Sequence, residues 1–107
     1  PDNCEMLIVF TTTPDRALAN TLADRLVSEN LAACVQVLPQ MTSVYYWKGE
    51  VQRDEEHLLL IKTLPEKYED LEAFIVENHT YDVPEIAAVE STKVFVKYRE
   101  WLEAYLG

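Results

Sequence analysis

Tyr45-Tyr46-Trp47-Lys48-Gly49-Glu50-Val51 is the stretch from which the fold is read. Aromatic strand formers run into Lys48-Gly49-Glu50, where glycine supplies the positive φ of a tight turn. A second strand leaves at Val51, so the segment is the tip of a β-hairpin. Reading back from the tip, strand character covers residues 42–47. It is broken at Pro39, which cannot donate to a ladder and marks a bulge, kink or edge, and it resumes over residues 34–38. Reading forward, the strand runs over residues 51–63, polar from Gln52 to His57 and apolar from Leu58 to Ile61. The hairpin is therefore long and is expected to project beyond its sheet.

Each side of the hairpin is flanked by a helix and then a strand. Upstream, Met6-Leu7-Ile8-Val9-Phe10 is a first strand ending in Thr11-Thr12-Thr13-Pro14-Asp15. Thr13 is expected to cap a helix with Pro14 at its first position. Leu18, Leu22 and Leu26, flanked by Ala19, Ala23 and Val27, form one apolar stripe before the helix stops near Asn30. Downstream, Pro65-Glu66 opens a second helix with Leu71, Phe74, Ile75 and Asn78 on one face and a solvated acidic surface opposite. Residues 79–84 form a loop, residues 85–89 the last strand, and Phe95, Tyr98, Trp101, Leu102 and Tyr105 fall at helical spacing in a C-terminal helix. The order is βαββαβ plus a terminal helix. This is an α+β, ferredoxin-like sandwich with an extended hairpin, in which right-handed crossovers put both main helices on one face of the sheet.

The strands also predict a partner. A sheet wet on one face alternates apolar and polar residues, yet Met6 to Phe10, Leu58 to Ile61 and Ile86 to Val89 are unbroken apolar runs. The terminal helix is too short to cover the second face, so another copy of the chain is the simplest cover.

Composition narrows the function. The 107 residues, read as one domain over 1–107, carry 9 basic against 19 acidic side chains, a net charge of −10. That field repels phosphate backbones and anionic membranes, so neither nucleic acid nor membrane is an expected partner. No apolar run approaches the roughly 20 residues of a membrane span. The acidic start Pro1-Asp2-Asn3-Cys4-Glu5 does not read as a secretory leader. Cys4 and Cys34 read as free thiols, Cys4 exposed and Cys34 a small buried apolar residue, which places the chain in a reducing compartment, the cytoplasm. There is no phosphate loop, nucleophile elbow, His-Glu-x-x-His or Cys-x-x-Cys, so no enzyme is expected and no cofactor is required.

Leu31-Ala32-Ala33-Cys34, Tyr45-Tyr46-Trp47-Lys48-Gly49, Lys62-Thr63 and His79-Thr80-Tyr81-Asp82-Val83-Pro84-Glu85 closely resemble the CutA divalent-cation tolerance family. The resemblance runs in register from the first strand to Trp101-Leu102. It implies a homotrimer of PII-like architecture and a link to copper and other divalent cations. The copper ligands proposed in the family are a cysteine after the first strand and two adjacent histidines after the second helix. Those positions are Thr11 and Asn78-His79 here, which leaves His79 as the one imidazole. Copper(II) favours nitrogen and thiolate ligands, so the resemblance implies weak copper binding rather than a tight site. His79 is otherwise a loop histidine at a helix C-terminus. His57, beside Glu56, reads as solvated, since strand neighbours point to opposite faces. Trp47, Lys62, Tyr81 and Glu85 resemble the lining of a cleft between subunits. There, Lys62 and Glu85 either fix the trimer as an ion pair or hold a small anion or metabolite, as in a PII-like sensor.

Overall fold

In the computed structural model, which describes residues 4–107, the chain runs β1 (Met6–Thr13), α1 (Arg16–Ser28), β2 (Cys34–Val37), β3 (Met41–Trp47), β4 (Glu50–Thr63), α2 (Tyr68–Asn78), β5 (Ile86–Ser91) and α3 (Val96–Leu106). The acidic start at Pro1, Asp2 and Asn3 lies outside the described residues. The sheet order is β2-β4-β1-β5, with β3 added along the far half of β4, and every neighbouring pair is antiparallel. The ferredoxin-like order read from the sequence is the order observed.

β1 is longer than the sequence suggested. Its ladder runs through the three threonines to Thr13↔His57, because β-branched residues suit a paired strand better than a loop. The helix cap moves accordingly. Asp15, not Thr13, is the N-cap of α1 and accepts a 2.7 Å hydrogen bond from the Leu18 N–H. Such a cap is worth about 1 kcal/mol against alanine. Thr13 instead turns its hydroxyl to the Asp15 carbonyl at 2.9 Å, and Pro14 precedes the cap. α2 opens with a short 3₁₀ turn over Pro65–Lys67 before its α-helical hydrogen bonding starts.

The alternation of the pleat divides the molecule. Leu7 and Val9 of β1 and Leu59 and Ile61 of β4 pack against Ala19, Leu22 and Leu26 of α1 and Leu71 and Ile75 of α2, forming the main core. Arg25 links the two helices by lying over the Phe74 ring at 4.7 Å and donating to Asn78 Oδ1 at 3.1 Å. Residues of opposite parity point to the other face. α3 covers one end of it, where Leu102 and Leu106 close over Met6, Ala33 and Leu64. Ile8, Phe10, Leu58 and Leu60 stay only half-buried in the single chain. The terminal helix thus shields part of the second face and leaves the rest open.

The α3 stripe is less buried than its spacing suggested. Phe95, Trp101 and Tyr105 are exposed, and Leu102 and Leu106 provide the contact. The cysteines also differ from expectation. Both are free and half-buried, Cys4 packing against the main core and Cys34 lying beside Tyr98.

Pro39 sits where β2 gives way to β3, both strands pairing with β4 on either side of the break. The hairpin closes with Trp47 opposite Glu50. Lys48 and Gly49 both take positive φ, 51° and 84°. That is the two-residue turn whose twist matches antiparallel strands, so a lysine holds one position that the sequence reading had given to glycine alone.

Candidate functional site

β4 carries the site because it is long enough to serve two structures. Its last half lies in the sheet core. Its first half pairs with β3 in the hairpin, with Met41, Ser43, Tyr45 and Trp47 opposite Glu56, Asp54, Gln52 and Glu50. Side chains of that parity face inward across the hairpin. The loop after α2 approaches them, and an open cleft of about 750 Å³ forms between the two. Ser43, Tyr45, Trp47 and Glu56 line its hairpin side, Tyr81, Asp82, Pro84 and Glu85 its loop side, and Thr12 its floor.

Glu56 is the polar centre of this cleft. It is 7% exposed, and its Oε2 accepts a 2.7 Å hydrogen bond from the Tyr81 hydroxyl. Desolvation, followed by this bond to Glu56, raises the Tyr81 phenol well above its ordinary value of 10.0, so it remains a donor at neutral pH. Tyr45 makes the analogous bond to Asp54, which raises its phenol as well. Tyr81→Phe leaves a buried carboxylate without its donor and should cost about 1–3 kcal/mol, read as a lower midpoint in urea. A raised folded-state value contributes stability that is complete below the unfolded value, 10.0, and is lost as pH climbs through the folded one. The difference between wild type and Tyr81→Phe should therefore be flat from neutrality to about pH 9.

His79 places the loop. Its Nε2 lies 2.7 Å from the Thr12 carbonyl and its Nδ1 accepts from the Tyr81 N–H at 3.0 Å. These two bonds define a neutral ring protonated at Nε2. The ring also packs on Tyr81, centroids 4.8 Å apart. The imidazole is a clip holding the 79–85 loop to β1, and both nitrogens are occupied.

The other positions implied as copper ligands fit a metal no better. Thr11 Oγ1 is buried on the helix-facing side of β1 without a hydrogen-bond partner. Asn78 donates to the Phe74 carbonyl at 2.8 Å and accepts from Arg25. Among the described residues, no three His, Cys, Asp or Glu side chains converge as a metal cage. This donor set does not fit a tight copper site.

Of the four cleft residues implied by the resemblance, Trp47, Tyr81 and Glu85 line the same cleft. Lys62 does not line it. It lies six residues along the same face of β4 and donates to Gln36 Oε1 at 2.6 Å rather than to Glu85. His57 is a correction. It is 7% exposed, not solvated, with Nδ1 3.3 Å from the Leu38 carbonyl. Glu56 was missed because it sits in an acidic run. The available signal was its parity, which it shares with Leu58 and Leu60.

The family model described as CutA1 divalent ion tolerance protein matches residues 7–105. The chain belongs to the CutA1 family. A Thermus thermophilus relative, the divalent-cation tolerance protein CutA, is 41% identical over 94% of this chain and 97% of its own length. The chloroplastic protein CutA of Arabidopsis thaliana is 45% identical over 91% of this chain. The chain spans about half the length of the plant relatives it matches, 53% and 55%. Among solved structures, CutA1 from Oryza sativa superposes with a TM-score of 0.91 at 41% identity, covering 94% of this chain and 92% of that one. The Thermus thermophilus CutA1 structure gives 0.92 at 40%, covering 95% and 99%. No helix among the described residues is long and apolar enough to cross a membrane. The Arabidopsis thaliana relative carries a chloroplastic name, so the cytoplasmic expectation does not follow from kinship.

Proposed function

We propose that the chain is a non-catalytic, homotrimeric divalent-cation tolerance protein of the CutA type. The observation that carries this reading is the CutA1 match over residues 7–105, together with near full-length similarity to a relative named for divalent-cation tolerance. The trimer is supported by the half-covered sheet face, where Ile8, Phe10, Leu58 and Leu60 await a cover that the chain itself lacks. Cells deprived of this protein should grow less well on copper or other divalent-metal salts and recover when it is restored. Unchanged growth would remove the tolerance role.

Direct cation binding is the weaker part of that role. A metal reaching His79 must displace either the Thr12 carbonyl or the Tyr81 N–H. Copper titrated calorimetrically into the protein should therefore show only weak heats, diminished in His79→Ala. A submicromolar site unaffected by His79→Ala would place the metal elsewhere.

A second reading is favoured by the cleft itself. A volume of about 750 Å³ lined by Trp47, Tyr81 and Glu85 is large enough for a small metabolite, as in a PII-like sensor. Lys62 joins this cleft only when a neighbouring subunit supplies it. A thermal-shift screen of nucleotides, organic acids and amines tests this reading, and a screen without hits removes it.

A further inference from the structure

The C-terminal ends of α1 and α3 meet at Asn30. This residue follows Glu29, the C-cap of α1, and takes a positive φ of 62°. Glycine is the common residue at such a helix stop, but here the asparagine side chain is used as well. Its Nδ2 donates to the Tyr105 carbonyl at 2.7 Å, and its Oδ1 accepts from Lys67 Nζ at 2.7 Å. An ammonium only donates and a carbonyl only accepts, so these partners fix the orientation of the amide. In return the Tyr105 hydroxyl donates to the Val27 carbonyl in the last turn of α1. The end of each helix thus supplies a donor to the other, where the last carbonyls lack partners within their own helix. Both ends carry the negative pole of a helix dipole, and the Lys67 ammonium is the positive charge at their junction.

α3 depends on ties of this kind. It spans 11 residues, short for a helix that must hold itself together in water. It has no side-chain bond at its N-cap and no basic residue in its last turn. Its seat is made by Leu102 and Leu106 over Met6, Ala33 and Leu64, and its lead-in is tied where the Val94 N–H donates to Glu5 Oε1 at 3.2 Å. All of these contacts lie within one chain, and none needs a surface that a neighbouring copy leaves uncovered. We infer that α3 is a strap latched by Asn30, which opens and closes as a unit while the sheet, α1 and α2 stay folded. Asn30 is its positioning residue. The open strap bares Met6, Ala33 and Leu64 beside Ile8, so the latch sets how much of the second sheet face is offered as apolar surface.

The test is amide hydrogen exchange on the full chain, read by mass spectrometry on peptides from α3, β1 and β4. In wild type the α3 peptides should exchange before those of β1 and β4. Asn30→Gly keeps the positive φ and removes only the amide, and it should speed α3 exchange by about tenfold while β1 and β4 hold the wild-type rate. Asn30→Asp still accepts from Lys67 but no longer donates to the Tyr105 carbonyl, and it should loosen α3 in the same way. Tyr105→Phe, which loses only the hydroxyl bond to Val27, should show a smaller acceleration confined to α3. Unchanged α3 exchange in Asn30→Gly would make Asn30 a helix stop and nothing more, and would overturn the inference. So would β1 and β4 peptides that accelerate together with α3, because the helix would then leave only when the whole chain unfolds.

Discussion

Leu60→Glu is expected to reduce the assembly to single chains without unfolding them. Leu60 lies on the open face of β4, paired with Phe10 of β1 and Gln36 of β2, and is half-buried in the single chain. In the proposed trimer its remaining surface is covered by a neighbour. Burying a leucine contributes about 1.5–3 kcal/mol, and the substitution forfeits that at every interface while adding a charge to be desolvated. Light scattering should give about three times 12.4 kDa for wild type and about 12.4 kDa for the variant, with far-ultraviolet circular dichroism unchanged. A variant that keeps the wild-type mass would show that this face is not where copies meet.

Leu59→Ala should do the opposite. Leu59 is the adjacent residue, but the pleat turns it inward, where it is fully buried between β1 and the two helices. Truncation loses transfer energy and leaves a cavity, a cost of about 2–5 kcal/mol. The urea midpoint should fall steeply while the mass of folded material stays at the wild-type value. A loss below 1 kcal/mol would mean that α1 and α2 collapse into the gap, contrary to the close packing expected there. Two neighbours on one strand thus separate folding from assembly.

This contrast was legible in the sequence because it depends only on period. The apolar runs, the stripe Leu18, Leu22, Leu26 and the Gly49 turn each reflect a local rule, so strand order, the helix-covered face and the hairpin followed from them. What escaped were features settled by partners distant in the chain. The threonines of β1 read as the end of the strand and a helix cap because their pairing to residues 57–59 is invisible locally. His79 read as a weak metal ligand or a loop histidine at a helix C-terminus, and its role as a clip stayed hidden because the Thr12 carbonyl lies 67 positions away. Lys62 read as facing Glu85 or a small anion across a subunit cleft, and within the single chain it donates to Gln36 on the adjacent strand, a contact no local pattern announces. Glu56 was taken with its acidic neighbours, although parity alone sets it facing the cleft. Composition reports charge in bulk and says little about which single carboxylate the fold encloses.

β4 runs for 14 residues without a bulge, from the hairpin turn to the end of the core. Side chains alternate along its whole length, so it works as a ruler graduated in twos, and core and cleft are measured from the same zero. Deleting one residue anywhere between Asp54 and Leu58 would swap the two readings on one side of the cut, turning either the carboxylates outward or the leucines into water. Length changes are therefore admissible only at the ends of this strand or in pairs, and substitution is the route by which cleft chemistry can vary while the scaffold persists.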